Sequence, residues 1–254
     1  MKNKNLLASY YSGLSGLQLD IPKNLYPHPY ENATRLTYYS SLFNSIEFNS
    51  SFYKIPQAIT VSKWASSVNE NFKFTFKFWK QVTHVKGLNF EESDVELFMN
   101  TVHHAGAKKG CLLLQFPPGL GNENSDQLTM LLGCIRKADS EYLWNIAVEF
   151  RNKSWYSEDT YGLLESYRTS IVIHDFPSAA TPVINSNGEI VYIRFHGPTG
   201  NYRDSYSENF LSEYAGYIQK WLTDDKTVYV YFNNTMGGAF NNLKTLNNIM
   251  LKLS

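Results

Sequence analysis

The sequence of 254 residues predicts an α/β protein and, within that class, a single (β/α)8 TIM barrel. Short apolar runs of strand length alternate with amphipathic helical patterns along nearly the whole chain. There are eight such runs, and the chain has the length of about 250 residues that is typical of this fold. The predicted strands are Tyr10–Leu14, Ser45–Asn49, Phe72–Phe78, Gly110–Gln115, Asn145–Phe150, Ser170–His174, Val191–His196 and Thr227–Phe232.

Helical patterns fill most of the gaps between the predicted strands. Thr60 can cap a helix that places Val61 and Trp64 on one face, and Ser157 precedes two acidic residues that favour a helix start. Further helices are predicted after Ser93 or Asp94, from Ser125, and over the periodic stretches SENFLSEYAGYIQKWL and AFNNLKTLNNIMLKL. The alternation therefore favours βα units with parallel strands.

The segment between the sixth and seventh predicted strands departs from this pattern. Asn187-Gly188 lies between apolar residues in PVINSNGEIVYIRF, which favours a two-residue hairpin turn in place of a helix. The sixth βα unit is therefore predicted to be irregular. An open doubly wound sheet is the competing fold, but no glycine-rich phosphate-binding motif follows the first strand. No linker or shift in composition divides the chain, so residues 1–254 are predicted to form one domain.

Composition and charge exclude several classes of protein. Hydrophobic residues make up 43% and charged residues 18% of the chain, as in folded globular proteins. Lys and Arg together number 23, as do Asp and Glu, so broad electrostatic capture of nucleic acid or anionic membrane is not favoured. Cys111 and Cys134 fit ordinary core positions. The apolar piece Leu6–Ala8 is too short for a signal peptide, and we expect a cytoplasmic protein without a membrane partner.

Polar side chains end one predicted strand after another. In a TIM barrel, the carboxyl ends of the strands and the loops after them carry the active site. Glu149 and Arg151 in AVEFRNKSW are two positions apart and should share one face of their strand. A buried charge is costly unless it is paired, so these groups must lie near one another or near a ligand. The candidate site residues are Glu47, Asn49, Tyr53, Lys77, His84, Gln115, Glu149, Arg151, Trp155, Asp175, Arg194, His196, Tyr202 and Asn233.

We predict four catalytic residues among these candidates. Glu47 or Glu149 would act as acid or base, and His196 would shuttle protons because histidine titrates near neutral pH. Lys77 is a single lysine at the inner end of an apolar strand, which favours a pocket cation or a base with a lowered pKa. The remaining ten candidates are predicted to bind substrate, with Arg151 and Arg194 holding its negative charge. A structural ion pair between Glu149 and Arg151 is an equally good interpretation.

Two other sets of residues have simpler interpretations. His174 precedes Asp175 and should face the helices, so a structural role is favoured for it. His103 and His104 lie near a predicted helix C-terminus and should be solvated there. Tyr202 and Tyr206 lie in the loop GNYRDSYSENF, where they either cover the pocket or pack within the loop.

The motifs at the strand ends resemble those of the YecE-like family of TIM-barrel proteins, known as domain of unknown function 72. The matching stretches are SGLSG, FNSIEFNSSFYKIP, FKFTFKFWKQVTH, LLLQFPP, AVEFRNKSW, HDFP, YIRFHGPTGNY and VYVYFNN, in the family's order from residue 10 to about residue 242. The resemblance implies a TIM barrel with a polar pocket built from those strand ends, but it implies no reaction. The first motif departs from the family pattern, because Leu17 stands where an aromatic residue is usual.

Three functions are compatible with this set of residues. The favoured one is an enzyme that acts by acid/base chemistry on a small polar or anionic substrate, including phosphate- or sugar-containing ones. The second is a divalent-metal-dependent hydrolase or isomerase, with ligands drawn from Glu47, Glu149, Asp175 and His196. The third is a non-catalytic protein that binds a phosphate-bearing or nucleic-acid ligand through its cations and aromatic rings. The sequence identifies no cofactor and no oligomeric state.

Overall fold

Eight parallel strands form a nearly closed barrel in the computed structural model, which describes residues 6–182 and 188–254. The TIM-barrel prediction is therefore confirmed. The strands are β1 (Tyr10–Leu14), β2 (Ser45–Phe48), β3 (Lys73–Lys77), β4 (Lys109–Gln115), β5 (Asn145–Glu149), β6 (Thr169–His174), β7 (Ile190–Phe195) and β8 (Thr227–Phe232).

The barrel closes where β1 meets β2. Every other neighbouring pair forms a parallel ladder, with a register shift between Phe74 and Phe76 where β3 pairs with β4, whereas β1 and β2 are joined by a bridge between Ser15 and Glu47. Gly13 lies at this seam, and a Cβ atom on it would stand 2.1 Å from the Ser45 carbonyl oxygen. Since no side chain fits there, glycine is what allows the two strands to approach.

Helices cover the outside of the barrel. They are α1 (Arg35–Leu42), α2 (Ser50–Tyr53), α3 (Ala58–Ser66), α4 (Lys80–Thr83), α5 (Glu92–Val102), α6 (Ser125–Ala138), α7 (Glu158–Ser166), α8 (Glu208–Thr223) and α9 (Ala239–Leu253). The predicted cap Ser157 is confirmed, since its hydroxyl accepts from the Thr160 amide. The Thr60 cap was wrong: α3 begins at Ala58, and Thr60 lies inside its first turn.

The core has two layers. Between strands and helices lies a large apolar layer that includes Phe76, Leu112 and Val148. Inside the barrel is a smaller cluster rich in tyrosine, in which the Tyr231 hydroxyl lies 2.5 Å from the Ser45 hydroxyl and 2.7 Å from that of Thr75. These side chains fill the barrel interior. The polar residues at the strand ends therefore form the bottom of a site and do not line a channel through the barrel.

The sixth βα unit is irregular, as predicted. The described residues between β6 and β7, which are 175–182 and 188–189, contain no helix. The predicted hairpin turn at Asn187-Gly188 falls partly on residues 183–187, which lie outside the described residues. Among the helices of the described ranges, none is long and apolar enough to span a membrane.

Gly13→Ala is expected to lower the free energy of unfolding by about 1–3 kcal/mol, because the new methyl group would collide with the β2 backbone at the seam. Gly216→Ala is the matched control. Gly216 lies within α8, and a Cβ atom on it would meet nothing within 4 Å beyond the backbone of its own helix, so alanine should add about 1 kcal/mol through helix propensity. Urea unfolding of both variants measures these changes in the free energy of unfolding. Equal changes in the two variants would show that the seam has room for a side chain.

Candidate functional site at the carboxyl end of the barrel

Arg194 occupies the centre of the polar cluster at the carboxyl end of the barrel. It projects from β7, and its guanidinium reaches a carboxylate on each of two other strands. Arg194 Nη2 lies 2.8 Å from Glu47 Oε1, and Nη1 lies 3.1 Å from Glu149 Oε2. The three side chains are almost fully buried, with Arg194 only 1% exposed. Pairing of this quality is what makes buried charges tolerable.

Glu149 is held in its ionised form by two arginines. Arg151 Nε donates to Glu149 Oε1 at 2.7 Å, so the two side chains do share a face, as their i, i+2 spacing predicts. Burial by itself would raise the pKa of Glu149, but Arg194 and Arg151 together bring this pKa well below its usual range. Glu149 is therefore a carboxylate near neutral pH and cannot serve there as a proton donor.

Both oxygens of Glu47 are also engaged by the protein. Arg194 Nε donates to Oε1 and Oε2 at 3.1 Å each, and the Tyr192 hydroxyl donates to Oε2 at 2.5 Å. The side-chain oxygen of Asn49 also contacts Arg194, since it accepts a hydrogen bond from Nη2 at 3.3 Å. The arginine and the tyrosine thus occupy the hydrogen-bonding directions of the Glu47 carboxylate.

His196 is neutral, and the hydrogen-bond donors around it set its tautomer. Its Nε2 lies 2.9 Å from Arg151 Nη2 and 3.2 Å from Arg194 Nη1. A guanidinium can only donate, so Nε2 must be the unprotonated acceptor and Nδ1 carries the proton. Burial lowers the pKa of His196. With both ring nitrogens occupied, His196 orients the two arginines and is not placed to shuttle protons in this arrangement.

Asp175 and Tyr206 support His196 from behind. Asp175 Oδ1 accepts from the His196 backbone amide at 2.8 Å and faces its Nδ1 at 3.3 Å. The Tyr206 hydroxyl donates to Asp175 Oδ2 and accepts from the Gly197 amide at 2.6 Å. Asp175 therefore acts as an acceptor for its own neighbours, which leaves it little capacity for a ligand.

Lys77 has a different environment from the two arginines. Its Nζ donates to Gln115 Oε1 at 2.8 Å and lies 4.2 Å from the centre of the Phe52 ring. In the described ranges, no carboxylate forms a salt bridge with it. Burial, with Arg194 as the next cause, lowers the pKa of Lys77 to about 8. Both the amine and the ammonium are therefore populated near neutral pH.

Unused donors remain on Lys77, Arg151 and Asn233, and we call the part of the site around these three side chains its mouth. Arg151 Nη1 and Asn233 Nδ2 form no hydrogen bond within the described part of the chain, and Lys77 Nζ uses one of its N–H groups. The oxygens of the three carboxylates, by contrast, each face a donor of the protein. The mouth therefore offers donors and positive charge to a ligand.

The other candidates divide between the rim and the core. Tyr53 is 68% exposed, His84 packs its ring against Phe52, and Tyr202 lies 5.8 Å from the His196 ring. Trp155 is fully buried, because the short 3-10 turn Lys153–Trp155 directs it against Phe150 and its indole N–H bonds to the Leu120 carbonyl. The structure therefore places Trp155 in the core and not in the mouth. The side chains that it brings together are Glu47, Asn49, Lys77, Gln115, Glu149, Arg151, Asp175, Arg194, His196 and Asn233.

Tyr192 and Phe176 also contact the cluster, and neither was among the predicted site residues. Tyr192 precedes Arg194 by two positions, so the same i, i+2 rule could have found it. Phe176 packs its ring 3.9 Å below the Arg151 guanidinium, a contact that no sequence spacing signals. His174 is buried and bonds to the Phe150 carbonyl, but its ring lies 5.7 Å from that of His196, so the prediction that it faces the helices is wrong.

The acidic side chains of the cluster are not arranged as metal ligands. Within residues 6–182 and 188–254, no group of three or more His, Cys, Asp or Glu side chains is placed to hold a metal ion. The reason is chemical, since Arg194 and Arg151 occupy the oxygens that a divalent ion would need. The metal-dependent alternative gains no support from the geometry.

Comparison with known proteins places these observations in a family. The model of the family described as "Protein of unknown function DUF72" matches residues 11–252. The chain belongs to the DUF72 family. The resemblance seen in the strand-end motifs is thereby confirmed.

Relatives of this DUF72 protein are diverse in sequence. UPF0759 protein YunF of Bacillus subtilis is 27% identical over 85% of this chain and 86% of its own length. UPF0759 protein YecE of Escherichia coli is 26% identical over 49% of this chain and 44% of its own. A crystal structure of a DUF72 protein from Thermotoga maritima matches with a TM-score of 0.76 and 27% identity, covering 96% of this chain and 98% of that one.

Arg194→Met is expected to lower the free energy of unfolding by about 3–5 kcal/mol, because it leaves Glu47 buried without its cation and Glu149 with Arg151 alone. Lys77→Met is the matched control. The pKa of Lys77 is lower in the folded protein than the value of about 10.4 for an unfolded chain, so its charge favours unfolding at pH 7. Methionine removes that cost, and urea unfolding should find Lys77→Met at least as stable as the wild type. A small effect of Arg194→Met would contradict the central role given to this residue.

Proposed function

We propose that this DUF72 protein is an enzyme that acts by acid/base chemistry on a small anionic substrate at the carboxyl end of its barrel. One observation carries the proposal: Glu47 and Glu149 are paired with arginines of the protein, while Lys77, Arg151 and Asn233 keep unused donors at the mouth. A substrate that supplies negative charge and several acceptors, such as a carboxylate or a phosphate ester, complements this surface.

The three donors have distinct parts in binding. Arg151 is held rigidly by Glu149 and His196, so its free Nη1 has a fixed direction. Asn233 Nδ2 offers a neutral donor beside Asn49. Lys77 offers a positive charge that has no carboxylate partner in the described part of the site. An anion would supply the missing countercharge, which is the strongest reason to expect one there.

Lys77 is the residue best suited to exchange a proton with the substrate. Its pKa of about 8 lies near the pH of a cell, which is the condition for an efficient acid or base. Glu149 is held ionised by its arginines, and the hydrogen-bonding directions of Glu47 are occupied. We therefore assign proton exchange to Lys77, and we assign to the two glutamates the task of fixing the arginines.

Aromatic side chains limit the size of the substrate. Phe52 packs against Lys77 and Phe176 against Arg151, so each cation rests on a ring. Tyr202 lies over His196 and near Phe176, with its ring 6.4 Å from that of Phe176. Rings in these positions exclude water from the donors and strengthen their attraction to an anion. This arrangement favours a small substrate.

The same donors would serve a non-catalytic protein that binds a phosphate-bearing ligand, so this second candidate function shares the site. The two functions differ in what Lys77 does. A site that only binds needs the positive charge of Lys77, whereas an enzyme needs Lys77 to gain and lose a proton. The pKa of about 8 favours the enzyme, since a lysine used only as a cation would bind better with its pKa unperturbed.

Lys77→Met is expected to reduce turnover by at least about 10²-fold, the contribution of a general acid or base. The assay is a panel of small carboxylates and phosphate esters together with whatever small molecule copurifies with the protein. Lys80→Met is the control, because Lys80 is an exposed lysine on the neighbouring helix. Full activity in Lys77→Met would rule out the catalytic role. Tight binding of a panel member without any conversion would favour the binding protein.

Anion binding is expected to weaken as the pH rises above 8. A bound anion stabilises the ammonium form and raises the pKa of Lys77 from about 8, so binding takes up a proton in the range just above that value. The affinity should then fall by up to about tenfold per pH unit. Titration calorimetry with oxalate between pH 6.5 and about 9.5 measures the effect, and Lys77→Met should flatten the profile. A profile that is flat in the wild type would contradict the proposal.

A further inference from the structure

We propose that Lys77 forms a covalent imine with its substrate, which makes the substrate a small anionic aldehyde or ketone such as a 2-oxo acid or a phosphorylated ketone. This inference rests on the proposed function, because it uses the same mouth and the same anion-binding donors. It goes further by naming a carbonyl carbon as the atom that Lys77 attacks.

The first support is the position of the amine. Within the described residues of the site, Lys77 is the cation that has no carboxylate partner, whereas Arg194 has two and Arg151 has one. Its hydrogen bond goes to Gln115 Oε1, and Gln115 is itself oriented because its Nε2 donates to the Phe116 carbonyl at 2.8 Å. An amide oxygen positions the amine without stabilising its positive charge as a carboxylate would. The unprotonated amine can therefore present its lone pair to a bound molecule.

The second support is the population of the neutral amine. A lysine with an ordinary pKa near 10.4 is less than about 0.1% unprotonated at pH 7. Burial and the neighbouring Arg194 lower the pKa of Lys77 to about 8, so about a tenth of the molecules carry a free amine at that pH. Desolvation and an adjacent cation are the conditions that activate lysine nucleophiles.

The third support is that the mouth can hold the rest of the substrate. Arg151 Nη1 and Asn233 Nδ2 are free to bind a carboxylate or phosphate on the carbon skeleton, which leaves the carbonyl group to face Lys77. The Phe52 ring, with its centre 4.2 Å from Nζ, gives the amine an apolar side. An apolar neighbour favours the uncharged amine before attack.

The covalent step needs no co-reactant. The Nζ lone pair forms a bond to the carbonyl carbon while the C=O π electrons move to oxygen, and proton transfer from nitrogen gives a neutral carbinolamine. Loss of the oxygen as water, with both of its hydrogens derived from the amine, leaves the C=N bond. Once protonated, this imine withdraws electrons from the adjacent carbon. It would support removal of a proton, or cleavage of a carbon–carbon bond, next to the former carbonyl.

Reductive trapping tests the inference. The full-length protein is incubated with sodium cyanoborohydride and one of two probes, pyruvate or dihydroxyacetone phosphate, and the modified lysine is located by peptide mass spectrometry. We expect Lys77 of the wild type to be labelled at least about tenfold faster than exposed Lys80, as its larger neutral fraction predicts. Acetone, an uncharged ketone, should label Lys77 far more slowly. Excess oxalate should suppress the pyruvate reaction.

Controls separate this inference from the one on which it rests. Lys80→Met should be labelled like the wild type, and Lys77→Met should lose the fast adduct. Locating the labelled lysine in the wild-type protein gives a result that does not depend on how a variant folds. Absence of a Lys77 adduct with both probes, or label spread evenly over exposed lysines, would overturn the imine. If oxalate still binds with its Lys77-dependent pH profile, the proposed function survives that result. Absence of both the Lys77 adduct and the Lys77-dependent binding of oxalate would overturn the imine and the proposed function together.

Discussion

The ion pairs of Arg194 with Glu47 and Glu149 are the constraint on which the rest of the site depends. One buried guanidinium on β7 neutralises carboxylates on β2 and β5, and so connects strands that are not neighbours in the barrel. Removing Arg194 leaves Glu47 in the core without a cation, which costs several kcal/mol. Because the oxygens of both carboxylates already face donors of the protein, neither glutamate offers a free carboxylate oxygen to a metal ion. The chemistry of the site then depends on the polar groups that lie outside this network of ion pairs.

Lys77 is the most important of those groups. The barrel interior beneath it is filled by side chains such as Tyr192 and Tyr231, so a ligand can reach Lys77 only from the mouth. The amine is buried, lies near Arg194 and has no carboxylate of its own in the described residues, so its proton is held weakly. The same lack of countercharge makes the site receptive to anions. Burial of Lys77 without a carboxylate partner thus favours both anion binding and proton exchange.

Much of this arrangement follows from the sequence. Alternating apolar runs and helical patterns predict the barrel, and parallel strands bring their carboxyl ends to one face, so Glu47, Lys77 and Arg194 meet despite their separation in the chain. The i, i+2 rule places Glu149 beside Arg151. Which carboxylate takes which cation cannot be predicted, because that choice depends on distances between strands. Trp155 shows a second limit, since a single 3-10 turn directs it into the core. For His196, the sequence predicts its location but not the two guanidinium donors that occupy Nε2.

A selenate soak of crystals is the most direct test of the claim that this mouth is a surface of unused donors, because selenium is visible in anomalous difference maps. We expect selenate to give a peak between Lys77 Nζ and Arg151 Nη1, with the ion pairs of Arg194 to Glu47 and Glu149 unchanged. A mouth without selenate, or a cation seated on those carboxylates in its place, would contradict it.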